Sequence, residues 1–267
     1  MDTAVILAAG RGTRMRRVQH SARLTARQSK IAQTGLKSLI PVGRPFIDYV
    51  LAGLADAGYR RVCIVVGPNH DALRAHVCNY RQVRLDIHFA IQKEPIGTAN
   101  ALAAAQEFVG DRPFSLINSD NYYPQSTLAS LRLARGAAVV AFRPEGLRQG
   151  NISEERLTNF AILSLSADGS LRCIIEKPSN VFSLQGKEIP LIGMNCWRFM
   201  PSIFEACSAI SRSVRGEFEL TDAVSYAVDV LGEKFEVFVS NEPVLDLSTQ
   251  SDVAEVSRRL AAIRVDL

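Results

Sequence analysis

Between Thr3 and Ile47 the chain has no aspartate and no glutamate, although nine of its 31 basic residues fall there. A stretch without acids and rich in arginine marks a place where anions are held. The net charge of +4 therefore hides a polarised molecule, because the remainder of the chain is net acidic. Other absences narrow the field. No apolar run approaches the roughly 20 residues of a membrane span, so no membrane partner is expected. The first residues show neither a basic leader nor a cleavage region, which predicts an opening strand rather than a signal segment and a cytoplasmic protein. The five cysteines, Cys63, Cys78, Cys173, Cys196 and Cys207, form no CxxC pair and have no histidine at metal-ligand spacing. Their odd number argues for reduced thiols. Cys63, Cys173 and Cys196 fall in apolar runs and read as small hydrophobes. The basic stretch holds a single aromatic, Phe46, so the interleaving of cations and aromatics that grips nucleic acid is missing.

What is present is a strand–helix alternation over the first half. Residues 4–7, 61–66, 83–91, 114–118 and 137–142 read as strands, and 45–57, 71–77, 98–108 and 125–134 as helices. This predicts an α/β fold, a Rossmann-like α/β/α sandwich with a mixed, mostly parallel central sheet. After Phe142 the rhythm changes. Residues 146–158 are polar, and 160–165 and 171–175 look like a hairpin through Asp168-Gly169. A strand at 189–199, helices at 201–210 and 220–231, short strands at 235–240 and 244–247 and an amphipathic helix at 250–263 follow. One domain is expected, with halves at about 1–143 and 144–248 and a C-terminal helical segment at 249–267.

The strongest local feature is Leu7-Ala8-Ala9-Gly10-Arg11-Gly12-Thr13-Arg14-Met15, directly after the first strand. Glycines at 10 and 12 allow a tight turn in which several N–H groups converge on phosphate oxygens, and Arg14 adds a planar cation. Two familiar phosphate loops do not fit. A dinucleotide loop needs a third glycine where Met15 stands and an acid about 20 residues on, yet no acid follows the loop before Asp48; a Walker A loop needs Gly-Lys-Ser/Thr.

The motif LAAGRGTRM, followed by Lys37 in Leu36-Lys37-Ser38-Leu39, resembles the opening of the sugar-phosphate nucleotidylyltransferase family. Four further segments match in the family's order: Gln92 with Pro95-Ile96-Gly97-Thr98-Ala99, Asn118-Ser119-Asp120-Asn121, Glu176-Lys177-Pro178, and Asp246-Leu247-Ser248-Thr249. The resemblance implies transfer of a nucleotidyl group from an NTP to a phosphorylated small molecule, most readily a sugar 1-phosphate, with Mg²⁺ as cofactor. It implies Arg14, Lys37 and Lys177 as the catalytic cations. Leu7, Ala8, Ala9, Gly10, Gly12, Thr13, Gln92, Pro95, Gly97 and Thr98 would contact the nucleotide. Glu176, Lys177, Gly193 and Asn195 would contact the co-substrate, and Asp120 and Asp246 would hold the metal. The first half would then bind nucleotide and the second co-substrate.

Each match also has a physical reason. Charge building on the leaving oxygens calls for a cation held by one or two carboxylates, and Asp120 ends an apolar strand, where open α/β sheets bind ligands. Gln92 offers an acceptor and two donors to a base edge; Gln92 and the Gly97 run lean towards a pyrimidine. Gly97 would let a base approach the backbone, and Thr98 suits a helix cap as well as a ligand contact.

The sequence also departs from the family pattern. The segment at about 17–35, with Arg17, Arg23, Arg27 and Lys30, is longer than expected and reads as a mobile flap over the triphosphate or as a solvated loop. Phe160-Ala161-Ile162 stands where the family often has an aromatic-Gly pair, and Leu191-Ile192 replaces the polar pair that commonly precedes Gly193, so Asn195 or Thr221 and Asp222 are candidate hydroxyl contacts and phosphocholine an alternative acceptor. The arm at 179–188 offers a surface for a homo-oligomer. A non-catalytic nucleotide-binding regulator of the same fold is the rival; the joint presence of Arg14, Lys37, Asp120 and Asp246 counts against it.

Overall fold

The computed structural model describes residues 1–19, 21–80, 84–176 and 190–267. Its nine-stranded sheet consists of β1 (Thr3–Leu7), β2 (Arg61–Val66), β3 (Asp86–Ile91), β4 (Phe114–Asn118), β5 (Ala138–Phe142), β6 (Ala161–Leu165), β7 (Leu171–Ile175), β8 (Leu191–Phe199) and β9 (Glu236–Ser240). The apolar runs of β1, β2 and β4 are buried on both sides, which is what parallel strands covered by helices require. The order is β3-β2-β1-β4-β8, parallel up to β4, after which β8 runs antiparallel to its neighbours. Only β7 and β8 run against the other seven strands, so the expected mixed, mostly parallel sheet is present.

Alternate residues of each central strand enter different cores. Ala4, Ile6, Val62, Ile64 and Val66 face one side, with helix Phe46–Asp56 packed there. Val5, Cys63 and Val65 face the other, against helices Thr98–Ala103, Ile203–Ala209 and Leu220–Asp229. Period-2 alternation inside an all-apolar strand thus builds two layers of helices on one sheet.

β8 is the seam of the sheet. Its end, from Trp197 to Phe199, pairs with β4, while its beginning, from Leu191 to Gly193, pairs with β6. β5 pairs with both parts, and the register slips between Gly193 and Trp197. Within that slip Asn195 has φ 53°, the one non-glycine positive φ among the described residues.

Several sequence expectations need correction. The polar stretch at 146–158 contains the end of helix Pro144–Gln149 and the helix Glu154–Leu157. The helix expected over 98–108 breaks into Thr98–Ala103 and Gln106–Val109, because the Ala105 N–H bonds back to Leu102 in a tighter turn. Cys173 is exposed rather than a core hydrophobe: a register shift between Leu171 and Cys173 reverses the alternation along β7. Burial of Cys63 raises its thiol to about 12, and burial also pushes Cys196 upward, which disarms both as nucleophiles. The 17–35 segment carries an ordered helix. The short helix α1 (Thr13–Arg16) leads to α2 (Ala26–Thr34), whose N-terminus is closed by a reciprocal capping box between Thr25 and Gln28. The arm at 179–188 lies outside the described residues. No helix among them is long and apolar enough to cross a membrane.

Candidate functional site

The carboxyl ends of β1 and β4, together with Gln92 just past β3, open onto one cleft of about 660 Å³. This is the edge where open parallel sheets present ligand sites. Its walls are residues 7–11, 13, 35–38, 92, 95–98, 101, 118–120, 195 and 215–217. The chain leaves β1 through Ala8, whose N–H bonds Val65 O at 2.8 Å, and turns at Gly12 in the left-handed region (φ 59°) before α1. A side chain at Gly12 would stand 2.0 Å from the Gly35 carbonyl oxygen. The glycine therefore lets the phosphate loop and the end of α2 touch, besides freeing the turn.

Of the residues assigned to nucleotide, Leu7, Ala8, Ala9, Gly10, Thr13, Gln92, Pro95, Gly97 and Thr98 line this cleft, as do Lys37, Asp120 and Asn195. Arg14 does not; it is exposed on α1, and Arg11 is the loop arginine in the wall. Gly12 lies behind the wall as the hinge of the loop. Gly193 sits in β8 opposite Ala161 and Ala141, two residues from Asn195 and outside the cleft lining. Glu176 is exposed just past β7 and away from the lining, and Lys177 lies outside the described residues.

Gln92 is 5% exposed, and its amide donates to Gly97 O at 2.9 Å and to Asn100 Oδ1 at 3.0 Å. Both donors are spent within the protein, leaving the Oε1 acceptor for a ligand. Gly97 (φ 124°) is required by Phe218, whose carbonyl oxygen would lie 2.2 Å from an added Cβ; the close approach expected of a base is made by backbone. Thr98 caps a helix other than its own: its Oγ1 accepts from Leu220 N at 2.9 Å, at the start of Leu220–Asp229.

Charge alternates across the floor. Lys37, in the 3₁₀ turn Lys37–Leu39, is ion-paired with Asp120, and both are partly buried. The Asp120 carbonyl accepts from Leu247 N at 2.8 Å, and Asn121–Tyr122 pairs with Leu245–Asp246 in a two-stranded ribbon. This brings the two carboxylates that the resemblance assigned to metal onto adjoining segments. Asp246 is 3% exposed, accepts from Asn121 Nδ2 at 2.9 Å, and is ion-paired with Arg156, which also bonds Asp252 at 2.6 Å. Burial raises the Asp246 carboxyl to about 6, helped by the Asp120 charge and opposed by Arg156 and Lys37. Among the described residues no three His, Cys, Asp or Glu side chains form a cage. Mg²⁺ needs only one or two carboxylates plus phosphate oxygens and water; Asp120 lies in the cleft lining, whereas Asp246 lies outside it with Arg156 and Asn121 on its oxygens.

Two contributors escaped the sequence reading. The turn at Arg215, Gly216 and Glu217 closes one wall, held by Ser213 N to Glu217 O at 2.8 Å and by the Arg215–Glu219 ion pair at 3.0 Å. The only signal was its Arg-Gly-Glu string just before the Thr221–Asp222 pair already singled out. Arg156 and Asn151 clamp Asp246, Asn151 through two 2.8 Å bonds to its backbone, although nothing in the polar 146–158 stretch announced a partner 95 residues away.

A glycine-turned loop, a partly buried lysine–carboxylate pair and a cleft at the carboxyl edge of this sheet define an α/β protein of the nucleotide-sugar transferase fold. The same architecture occurs in a solved UDP-glucose pyrophosphorylase complexed with UDP-glucose, at TM-score 0.75, 18% identity and coverage of 99% of this chain and 100% of that one. The chain belongs to the nucleotidyl transferase family, whose model matches residues 3–262. It is similar to a glucose-1-phosphate thymidylyltransferase of Streptomyces griseus, 31% identical over 257 residues, covering 96% of this chain and 65% of that protein. It is also similar to a UTP–glucose-1-phosphate uridylyltransferase of Haloferax volcanii, 26% identical over 261 residues and 96% of each. The chain thus spans just under two thirds of the length of the Streptomyces relative and nearly all of the Haloferax one.

Proposed function

We propose that the protein transfers a nucleotidyl group from an NTP to a phosphorylated small molecule, a sugar 1-phosphate in the first instance, releasing pyrophosphate and forming a nucleotide-sugar. The observation that carries this reading is the Lys37–Asp120 pair in the cleft that the glycine loop also walls. The loop N–H groups and Arg11 hold the triphosphate, while Lys37 supplies a fixed cation to the phosphates at the reacting end. Asn195, held in its uncommon backbone conformation, presents an amide to the co-substrate hydroxyls. The resemblance adds Glu176 and Lys177 as co-substrate contacts; Glu176 is exposed outside the cleft lining, and Lys177 lies outside the described residues. The attacking group is a phosphate oxygen, already nucleophilic near neutral pH, so no side chain has to remove a proton. Mg²⁺, when held by Asp120 and Asp246, would neutralise charge growing on the bridging and leaving oxygens.

The free acceptor of Gln92 suits a base with a ring N–H at that edge, as the N3–H of uracil and thymine provides, and is unsuited to the acceptor N3 of cytosine. Names of the Streptomyces and Haloferax relatives, thymidylyl- and uridylyltransferase, agree with it. Asp120→Ala should lower pyrophosphate release by at least about 100-fold, on the scale of removing a group that stabilises transition-state charge. Full activity in that variant would overturn the metal assignment.

A further inference from the structure

The basic stretch has a structure that a loose flap would not have. α2 is fixed at both ends: the Thr25–Gln28 box closes its start, and Gln28 Nε2 reaches Pro41 O at 2.8 Å. Its far end, Gly35, touches Gly12, and Arg16 Nη2 donates to Thr34 O at 2.8 Å. The approach to α2 is tied down as well. Gln19 N donates to Gln250 Oε1 at 3.2 Å, Gln19 Oε1 accepts from Ser251 N at 2.9 Å, and Gln250 Nε2 bonds Met15 O at 3.0 Å.

α2 points its C-terminal carbonyls at the phosphate loop, an orientation unfavourable to an anion in the cleft. The Arg16 guanidinium on Thr34 offsets that partial charge. Arg11, Arg14, Arg17, Arg23, Arg27 and Lys30 are all exposed, and none takes part in an ion pair among the described residues. The stretch contains no acid to pair with them. Arg11 and Gly35 line the cleft itself. At about 1.5 Å of rise per residue, Lys30 and Arg27 project from α2 roughly 8 and 12 Å from Gly35, close to one Debye length at 0.1 M salt.

We infer that α1, α2 and the described residues between them form a fixed cationic platform that captures the nucleoside triphosphate and steers it into the cleft. The inference rests on the nucleotidyl-transfer reading above and adds a task for residues outside the reacting centre. Charges at this distance act on a polyanion before contact; they raise its association rate and leave the bound geometry to the loop, Lys37 and Asp120. A tetra-anionic triphosphate is drawn more strongly than a monophosphate, and salt weakens the effect.

The test is stopped-flow binding of fluorescently labelled UTP to the whole chain from 20 to 300 mM salt, beside steady-state pyrophosphate release with the unlabelled nucleotide. Arg23→Gln/Arg27→Gln/Lys30→Gln should reduce the association rate roughly tenfold at low salt. It should also flatten the salt dependence while leaving the dissociation rate and kcat unchanged. The charge-keeping variant Arg23→Lys/Arg27→Lys/Lys30→Arg should restore the rate, separating charge from folding. Unchanged association with an unchanged salt slope would overturn the inference, as would a loss confined to kcat. Submicromolar binding of a single-stranded RNA that the neutral variant loses would also overturn it, in favour of a nucleic-acid surface. If the unaltered protein turns over no triphosphate at all, it is the nucleotidyl-transfer reading that fails.

Discussion

Asp246 carries a burden that the Asp-Leu-Ser-Thr string does not reveal. A lone strand-end aspartate is as readily a turn former as a ligand, and only the three-dimensional setting distinguishes them. Here the carboxylate is buried beside Asp120, with Arg156 and Asn121 on its two oxygens. Burial first, then Asp120, lift it to about 6. A carboxyl whose folded pKa exceeds its unfolded value of about 3.9 favours the native state below that value. The benefit disappears as pH rises through 6. In protein stripped of divalent ions, the Tm of Asp246→Asn relative to the unaltered chain should therefore rise between pH 5 and pH 7. A difference that stays flat over that interval would show that Arg156 dominates the site and keeps the carboxyl ionised throughout. Gln92 teaches a related lesson. The sequence reads it as a base-facing amide with two free donors, but the hydrogen bonds that spend those donors go to Gly97 and Asn100 and exist only once the following helix is in place.

At the scale of elements, long apolar strands and amphipathic helices were legible, because periodicity reports burial directly. β1, β2, β4 and helix Phe46–Asp56 lie where the pattern put them. α2 was missed because it is polar nearly all round, with Ala32 as its one buried residue, so no apolar stripe announced it. Its signals were the Thr25-x-x-Gln28 box and Gly35 at its end, both visible in the sequence but set in a stretch that reads as loop. The crossing of Gly12 and Gly35 joins α2 to the phosphate loop. Gly35→Ala would place a methyl group 2.4 Å from the Arg11 carbonyl at φ 78°. It should cost more than about 1 kcal/mol in urea unfolding and weaken triphosphate binding together. Loss of stability with unchanged binding would separate α2 from the loop's function.

Across the whole molecule, the alternation in the first half gave the parallel strands and their two helical layers, while the second half was legible only as strands in sequence. That β8 would serve β4, β5 and β6 at once, slip in register and thereby swing Asn195 into the cleft depends on pairings no local pattern encodes. The same holds for the reach of Arg156 to Asp246. Such a seam brings a residue of the second half into the cleft that the glycine loop of the first half walls. The most direct test of the account is pyrophosphate release with Mg²⁺, crossing UTP, dTTP, CTP, ATP and GTP against sugar 1-phosphates and phosphocholine. The account predicts release that requires both partners, is greatest for UTP or dTTP with a hexose 1-phosphate, and is lost in Asp120→Ala. Binding of nucleotide with no release for any pair would contradict it and leave a nucleotide-binding regulator in its place.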